Sequence, residues 1–171
     1  MRFLTFLCLL LVACTRAIQP PPSLVPKTEI PQRSSSPAAI STRGILDPRR
    51  VTKKPFGILI DSTSSPVQPE RFRGYHTGAD FEVTSDEEAL PVPALCDGEV
   101  LTASLLKNGT AVVAGQTVGH LGAGYSRETD DERPHLHLSI HRGAAVDLRG
   151  YVQRQEELKG WMNPVVLLST R

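Results

Sequence analysis

Two short segments of the chain place histidines and an aspartate at regular spacings. The sequence has five histidines. The segment GYHTGAD contains His76 and Asp80, and the segment PHLHL contains His135 and His137. Imidazole nitrogens and carboxylate oxygens are the protein ligands that zinc prefers after thiolates. The grouping therefore predicts a metal site built from two distant parts of the chain.

The spacing within each segment tells which side chains can share a face. On a β-strand, residues two apart project from the same side, with Cα atoms roughly 6.5–7 Å apart. His135 and His137 are then expected to face one site, while Leu136, Leu138 and Ile140 face the core. The H-x-x-x-D spacing also gives one face in an extended segment, or allows a turn to bring its two side chains together.

Two imidazoles and one carboxylate form a three-ligand zinc set with a fourth position open to water. Zinc lowers the pKa of such a water to about 7 and polarises a carbonyl. A further histidine that does not bind the metal can accept or hold a proton. The alternative is that these are ordinary surface or core histidines. That interpretation would be preferred for a single histidine, but the combination of H-x-x-x-D with H-x-H on a strand favours a metal site.

The paired motifs resemble those of the lysostaphin/LytM-type zinc metallopeptidases, which cut peptide bonds in bacterial peptidoglycan. The resemblance implies that His76, Asp80 and His137 hold Zn²⁺ and that His135 is the catalytic base or transition-state stabiliser. It extends over residues 56–168 and includes a G-Q-T-V-G turn and an Asn-Pro pair near the end. The implied fold is a compact antiparallel β-sheet domain of the duplicated hybrid motif type, with the site in a groove on one sheet face.

One segment of that family is missing from this chain. Family members carry a Gly-rich hairpin and a Y-x-H-L stretch between the two motifs, and the histidine of that stretch helps to stabilise the oxyanion. Here residues 99–103 lead almost directly to Asn108-Gly109, and no Y-x-H is present. Loss of one oxyanion donor in a hydrolase costs about 100–1000-fold in rate. Zinc binding can therefore survive in this chain while catalysis weakens.

Other polar residues have weaker claims to a site role. His141 shares the strand parity of His135, but it lies about 13 Å beyond the last predicted ligand along an extended strand, and His120 is expected to be exposed at a strand end. Glu82 either orders a ligand or is an ordinary solvated strand carboxylate. The acidic loop 122–133 either meets an amine of a peptide substrate or is simply solvated, and its arginines partly offset its carboxylates.

Short apolar runs separated by turn residues predict a mainly β domain at residues 55–171. Strands are predicted at 56–60, 79–83, 91–94, 99–103, 111–114, 117–121 and 136–141. Asn108-Gly109 predicts a hairpin turn. One short C-terminal helix is predicted from Tyr151 to Lys159, with Gly160 as its end. These elements predict a compact antiparallel β-sheet domain.

The first residues are typical of an export signal. Residues 3–13 are almost wholly apolar, and this run is too short to span a bilayer, which needs about 20 residues. The sequence Leu-Val-Ala-Cys that ends at Cys14 resembles the bacterial lipobox, in which the cysteine is acylated and becomes the first mature residue. It predicts a signal peptide at 1–13 and a lipid-anchored protein outside the cytoplasm; the alternative is a plain secretory signal. Cys96 is then predicted to be an unmodified small core residue.

Residues 14–54 are predicted to be the lipidated cysteine followed by a disordered tether. This stretch is rich in proline and serine and has no apolar periodicity. The chain of 171 residues then leaves room for one domain. The net charge of +1, with 22% charged residues, gives no basic excess that would indicate a nucleic-acid partner.

Two function classes follow. The first is a zinc endopeptidase or carboxypeptidase that acts on peptidoglycan stem or cross-bridge peptides from a membrane anchor. The second is a catalytically weakened or inactive zinc-binding module that recognises cell-wall peptide or regulates a partner hydrolase. The complete ligand set favours the enzyme and the missing Y-x-H segment favours the module. A purely structural lipoprotein is a third alternative.

Overall fold

The computed structural model describes residues 12–13, 44–84, 87, 89–102, 106–127 and 129–170. The fold is mainly β, with small antiparallel sheets and few helices, as the sequence predicts. Cys14 and almost all of the predicted signal peptide lie outside the described residues, so the predicted lipidation site has no structural account.

The strands are short and follow the apolar runs of the sequence. Those of the described residues are β1 (Val12–Ala13), β2 (Leu59–Ile60), β3 (Gly74–His76), β4 (Gly78–Glu82), β5 (Pro91–Pro93), β6 (Gly98–Val100), β7 (Ala111–Val112), β8 (Thr117–His120), β9 (His135–His141), β10 (Tyr151–Val152) and β11 (Trp161–Met162). They form sheets in the orders β1-β6-β7, β10-β3-β2, β11-β9-β4 and β5-β8. The predicted hairpin is present, since β6 pairs with β7 and Gly109 has a φ of +82° at the turn.

The pairing of β4 with β9 carries the core on one side and polar side chains on the other. Phe81 lies opposite Leu136 and Ala79 lies opposite Leu138. Phe81, Ala79 and Leu136 are buried in the main apolar cluster, and Leu138 packs against it. Because side chains alternate along a strand, the intervening residues project from the opposite face. The predicted parity of the H-x-H strand is therefore confirmed for its two core leucines.

The folded part of the chain begins earlier than predicted. Ile45 and Leu46 are each 1% exposed and belong to the main apolar cluster. A 3₁₀ helix follows at Pro48–Arg50, with Asp47 as its N-cap. The prediction of a tether reaching residue 54 was wrong from residue 44 onward, because this apolar pair supplies buried surface to the core.

The C-terminal elements differ from the prediction of one helix at 151–159. Residues 151–152 form β10, a 3₁₀ helix spans Gln155–Gly160, and α1 spans Pro164–Ser169. The side chain of Asn163 caps α1, and Pro164 occupies its first turn, both of which are favourable at a helix start. None of the helices in the described part of the chain is long and apolar enough to cross a membrane.

Cys96 is half-buried and disulfide-bonded. The prediction of an unmodified core cysteine was therefore wrong.

Candidate metal centre

Three side chains from the two histidine motifs converge on one point. His76 Nε2 lies 3.0 Å from His137 Nδ1, and His137 Nδ1 lies 3.0 Å from Asp80 Oδ1. The third edge, from His76 Nε2 to Asp80 Oδ1, is 3.3 Å. Ligands about 2.0–2.1 Å from a tetrahedral metal ion lie about 3.3 Å from one another. The three residues thus form a group that can hold a metal ion.

Separate strands position the three ligand residues. β3 carries His76, and the antiparallel register of β4 and β9 places Asp80 directly opposite His137. His76 is 0% exposed and Asp80 is 2% exposed. At Gly78, β4 lies close against β9, since a Cβ atom there would lie 2.5 Å from Ser139 Oγ and 2.9 Å from His137 Nε2.

The hydrogen bonds of His76 fix which of its ring nitrogens is free. Nδ1 lies 3.1 Å from the backbone carbonyl oxygen of Pro55. A carbonyl oxygen only accepts, so Nδ1 carries the proton and donates. The lone pair of Nε2 then faces the other two ligand atoms. A donor bond to a backbone carbonyl is the usual support for a histidine that binds a metal.

A hydroxyl relay fixes His137 in the same way. Thr77 Oγ1 donates to Arg149 O at 2.7 Å, so its proton is not available to Ser139, 3.3 Å away. Ser139 must therefore donate to Thr77, and it accepts from His137 Nε2 at 2.8 Å. With its proton on Nε2, neutral His137 presents the lone pair of Nδ1 to the site.

The two ring nitrogens that face Asp80 Oδ1, His76 Nε2 and His137 Nδ1, therefore both carry lone pairs and no proton. Burial by itself would raise the pKa of Asp80, but its close contacts with His137 and His76 outweigh burial and hold the pKa well below its usual range. Burial lowers the pKa of His137 and favours the neutral ring. Two neutral imidazoles and an ionised carboxylate are the protonation states that metal binding requires. The donor set fits a divalent cation.

His135 lies beside the three ligand residues without joining them. Its Nδ1 donates to Arg133 O at 2.8 Å, which leaves a lone pair on Nε2. Nε2 is 3.6 Å from Asp80 Oδ2, the carboxylate oxygen that does not face the other ligands. The His135 side chain is 14% exposed, more than that of His76 or Asp80. The ring has the free nitrogen and the access that a proton acceptor needs.

The sequence did not predict the role of Arg133. Its Nη2 donates to Asp80 Oδ2 at 2.7 Å and to Glu82 Oε1 at 2.8 Å. Burial opposes the charge on Arg133, but hydrogen bonds with Glu82 and the charge of Asp80 raise its pKa. Glu82 is not the solvated carboxylate of the simpler prediction, since its side chain is only 14% exposed. The sequence did contain a signal for this contact. Arg133 lies two residues before His135, and Glu82 lies two residues after Asp80, so both were placed beside predicted site residues.

The remaining histidines lie away from this centre. His120 is exposed at the end of β8, as predicted. His141 Nδ1 donates to Ala145 O at 3.1 Å, and its ring packs edge-on against Trp161. In the described ranges, therefore, neither ring reaches the ligand atoms.

A cavity of about 460 Å³ has Arg133 in its wall but none of the three ligand residues. It lies between residues 66–71 and residues 125 and 130–132 of the acidic loop. Arg71 joins these two walls by contacts of 2.7 Å to Asp130 and to Glu132. These ion pairs lie at the surface, so the acidic loop is solvated and Arg71 offsets part of its charge.

An aromatic and charged layer supports the other side of His76. The Tyr151 ring lies 5.1 Å from the His76 ring and 5.2 Å from the Phe72 ring. Beneath it, Lys54 Nζ binds Glu70 Oε2 at 2.7 Å, and both side chains are almost fully buried. Burial, with the negative charge of Asp80, raises the pKa of Tyr151 and keeps its hydroxyl protonated.

Comparisons with known proteins give no relative. No protein-family model, no curated protein and no solved structure matches this chain. The site geometry and the motif resemblance are therefore the grounds for a functional proposal.

Proposed function

We propose that this protein is a zinc-dependent hydrolase of peptide bonds in bacterial peptidoglycan, acting as an endopeptidase or carboxypeptidase. The observation that carries the proposal is the convergence of His76 Nε2, Asp80 Oδ1 and His137 Nδ1 at mutual distances of 3.0–3.3 Å. All three come from the motifs that resemble those of the lysostaphin/LytM-type peptidases. The same resemblance supports the duplicated hybrid motif fold for the domain.

The residues present suit amide hydrolysis. Zinc, when bound, supplies a Lewis acid that polarises a carbonyl and lowers the pKa of water to about 7. His135 Nε2 has the free lone pair to accept a proton from the attacking water and to pass it to the leaving amine. The carbonyl of Arg133 holds the His135 ring in that tautomer through Nδ1.

The proposed substrate is a stem or cross-bridge peptide of the cell wall. The cavity beside Arg133 has room for part of such a peptide, and charged groups of both signs line it. Stem peptides offer both ammonium and carboxylate groups, which such a lining can pair with. A partner hydrolase or activator is compatible with this assignment.

A second candidate is a zinc-binding cell-wall or regulatory module with weak or no catalysis. The observation that favours it is the missing Y-x-H segment, for which no other ring substitutes among the described histidines. His141 contacts Ala145 and Trp161 instead. Without a second non-ligand histidine, a rate about 100–1000-fold below that of a complete site is expected.

The proposed location is the bacterial cell envelope, with a lipid on Cys14 as the membrane anchor. The support is the apolar run at residues 3–13 followed by the lipobox-like sequence. A single acyl chain binds a membrane only marginally, so stable anchoring needs more than one chain.

Hydrolysis is tested with the full-length chain, purified in detergent, and with purified peptidoglycan. We expect new free amino groups from the zinc-loaded protein and none after chelation. His137→Ala is expected to lose both zinc and cleavage. His135→Ala is expected to keep zinc but to lose cleavage by about 100–10,000-fold, because only its proton transfer is removed.

His120→Ala is the matched control, since His120 is exposed and lies outside the centre. It should retain both zinc and activity. A folded wild-type protein that binds no zinc would overturn the proposal entirely. A zinc-loaded wild type that cleaves nothing would favour the non-catalytic module.

A further inference from the structure

We infer that Arg133 is a positioning residue that makes Asp80 a one-oxygen metal ligand and so keeps a coordination position open. The inference rests on the proposed metal centre and assigns a role that the motif resemblance does not supply. Its basis is the direct bond from Arg133 Nη2 to Asp80 Oδ2, 2.7 Å long, inside the protein.

The fork of Arg133 divides its donors between two carboxylates. Nη2 donates to Asp80 Oδ2 and to Glu82 Oε1, and Nε donates to Glu82 Oε2 at 3.0 Å. With Oδ2 occupied, Asp80 presents Oδ1 alone to His76 and His137. Such bidentate guanidinium contacts restrict orientation more than the contacts of an ammonium group do.

The positive charge of buried Arg133 is balanced by the neighbouring carboxylate of Glu82. Arg133 is only 6% exposed, and an unpaired buried guanidinium would be costly. Glu82 supplies the balancing charge, and Lys53 Nζ approaches Glu82 Oε2 at 3.3 Å from outside. Because Glu82 and Arg133 form a nearly neutral pair, Arg133 can orient Asp80 without strongly repelling a cation at the ligand atoms.

The bond to Asp80 is not needed to hold the two strands together. β4 and β9 are already paired from Gly78 opposite Ser139 to Glu82 opposite His135. Arg133 precedes β9 and reaches back to the ligand carboxylate. If the bond is removed, Oδ2 is released, and it can turn toward the metal or toward His135 Nε2, which is 3.6 Å away.

The consequence is a site with altered coordination. A carboxylate that binds through both oxygens occupies the position that a catalytic zinc keeps open. A carboxylate that turns toward His135 is lost as a ligand. Both changes are local, and both are visible in metal binding without any assay of hydrolysis.

The test compares wild type with Arg133→Gln as full-length chains, using Zn²⁺ and Co²⁺ as probes. We expect the zinc dissociation constant of Arg133→Gln to rise by about 10–100-fold, the usual effect of losing a residue that orients a ligand. We also expect the visible bands of bound Co²⁺ to change from the intense pattern of four-coordination, because the geometry around the ion changes.

Arg71→Gln is the control, since Arg71 lines the same cavity but binds Asp130 and Glu132 instead of a ligand. It should leave the affinity and the Co²⁺ spectrum unchanged. If Arg133→Gln does not fold, Arg133→Lys is tested in its place, because lysine keeps the positive charge but lacks the forked guanidinium group. We expect its zinc dissociation constant and Co²⁺ spectrum to change in the same direction, but by less.

A folded Arg133→Gln or Arg133→Lys protein with wild-type zinc affinity and wild-type Co²⁺ spectrum would overturn this inference. That result would leave the hydrolase proposal intact. Conversely, if the wild-type protein binds zinc but does not cleave peptidoglycan, the hydrolase proposal fails. The role of Arg133 can still be measured, because its test reads zinc affinity and the Co²⁺ spectrum.

Discussion

At the scale of single residues, hydrogen-bond direction decides what each histidine can do. His76 and His135 each donate through Nδ1 to a backbone carbonyl, and His137 donates through Nε2 to a hydroxyl relay that ends on Arg149 O. In each ring, one nitrogen is committed to the protein and the other is left with a lone pair. The fixed carbonyl acceptors thus set the donor pattern of the whole site.

This pattern predicts a specific role for Ser139. Ser139→Ala removes the acceptor of His137 Nε2–H, so the ring loses the bond that keeps its proton away from the metal-facing nitrogen. We expect the zinc dissociation constant to rise by about 10–100-fold, measured by competition with a chromophoric chelator. The tautomer of metal-free His137 is read separately from its ring ¹⁵N chemical shifts.

Ser169→Ala is the matched control, because Ser169 donates to Val165 O within α1, outside the site. It should bind zinc like the wild type. Wild-type affinity and an unchanged His137 tautomer in Ser139→Ala would show that the relay does not set the ligand nitrogen.

At the scale of elements, the pairing of β4 with β9 builds most of the site. The register that buries Phe81 and Leu136 is the same register that sets Asp80 opposite His137. A slip of one residue would send both ligands to the opposite face. The core and the metal centre are therefore two sides of one strand pair, and stabilising one orders the other.

Gly78 tests this coupling. A Cβ atom at this position would lie against Leu138 O and 2.5 Å from Ser139 Oγ, so Gly78→Ala must push β4 away from β9. We expect Gly78→Ala to lose about 1–3 kcal/mol of unfolding free energy and to bind zinc more weakly. Urea unfolding and chelator competition measure the two effects.

Gly119→Ala in β8 is the comparison, because no atom lies within 4 Å of the added Cβ. Its unfolding free energy should stay within about 0.5 kcal/mol of wild type. Equal behaviour of the two alanine variants would contradict the close approach at Gly78.

At the scale of the whole molecule, the folded domain follows an N-terminal region for which we propose an export and anchoring role. The domain includes residues 44–54, whose Ile45 and Leu46 lie in the core and whose Lys54 binds buried Glu70. A soluble fragment that begins at residue 55 would lack these contacts, which is why the proposed experiments use the full-length chain. The proposed anchor is an acylated Cys14.

The anchor predicts a defined N-terminus. Mass spectrometry of the protein from bacterial membranes should find Cys14 as the first residue, carrying acyl chains. Cys14→Ser should carry no lipid and should not be cleaved before residue 14, because the acylated thiol is the feature that the lipobox provides. Cys96→Ser serves as the control and should keep the lipid. An unmodified Cys14, or a Cys14 held in a disulfide, would contradict the anchor.

The sequence by itself determined the features that depend on local pattern. The parity of Leu136 and Leu138, the hairpin turn at Gly109 and the mainly β class all follow from alternation and turn chemistry over a few residues. Residue types and spacings also predicted a metal site, and the resemblance to the lysostaphin/LytM-type motifs implied which three residues form the group.

Only the tertiary structure decided which distant groups support those residues. Arg133 reaches Asp80 across 53 positions of sequence, and the relay from His137 through Thr77 depends on β3, β4 and β9 meeting. Burial of Ile45 and Leu46 depends on the core having space for them. Such contacts carry no periodic signal, because they arise from strand register and packing that the whole chain sets together.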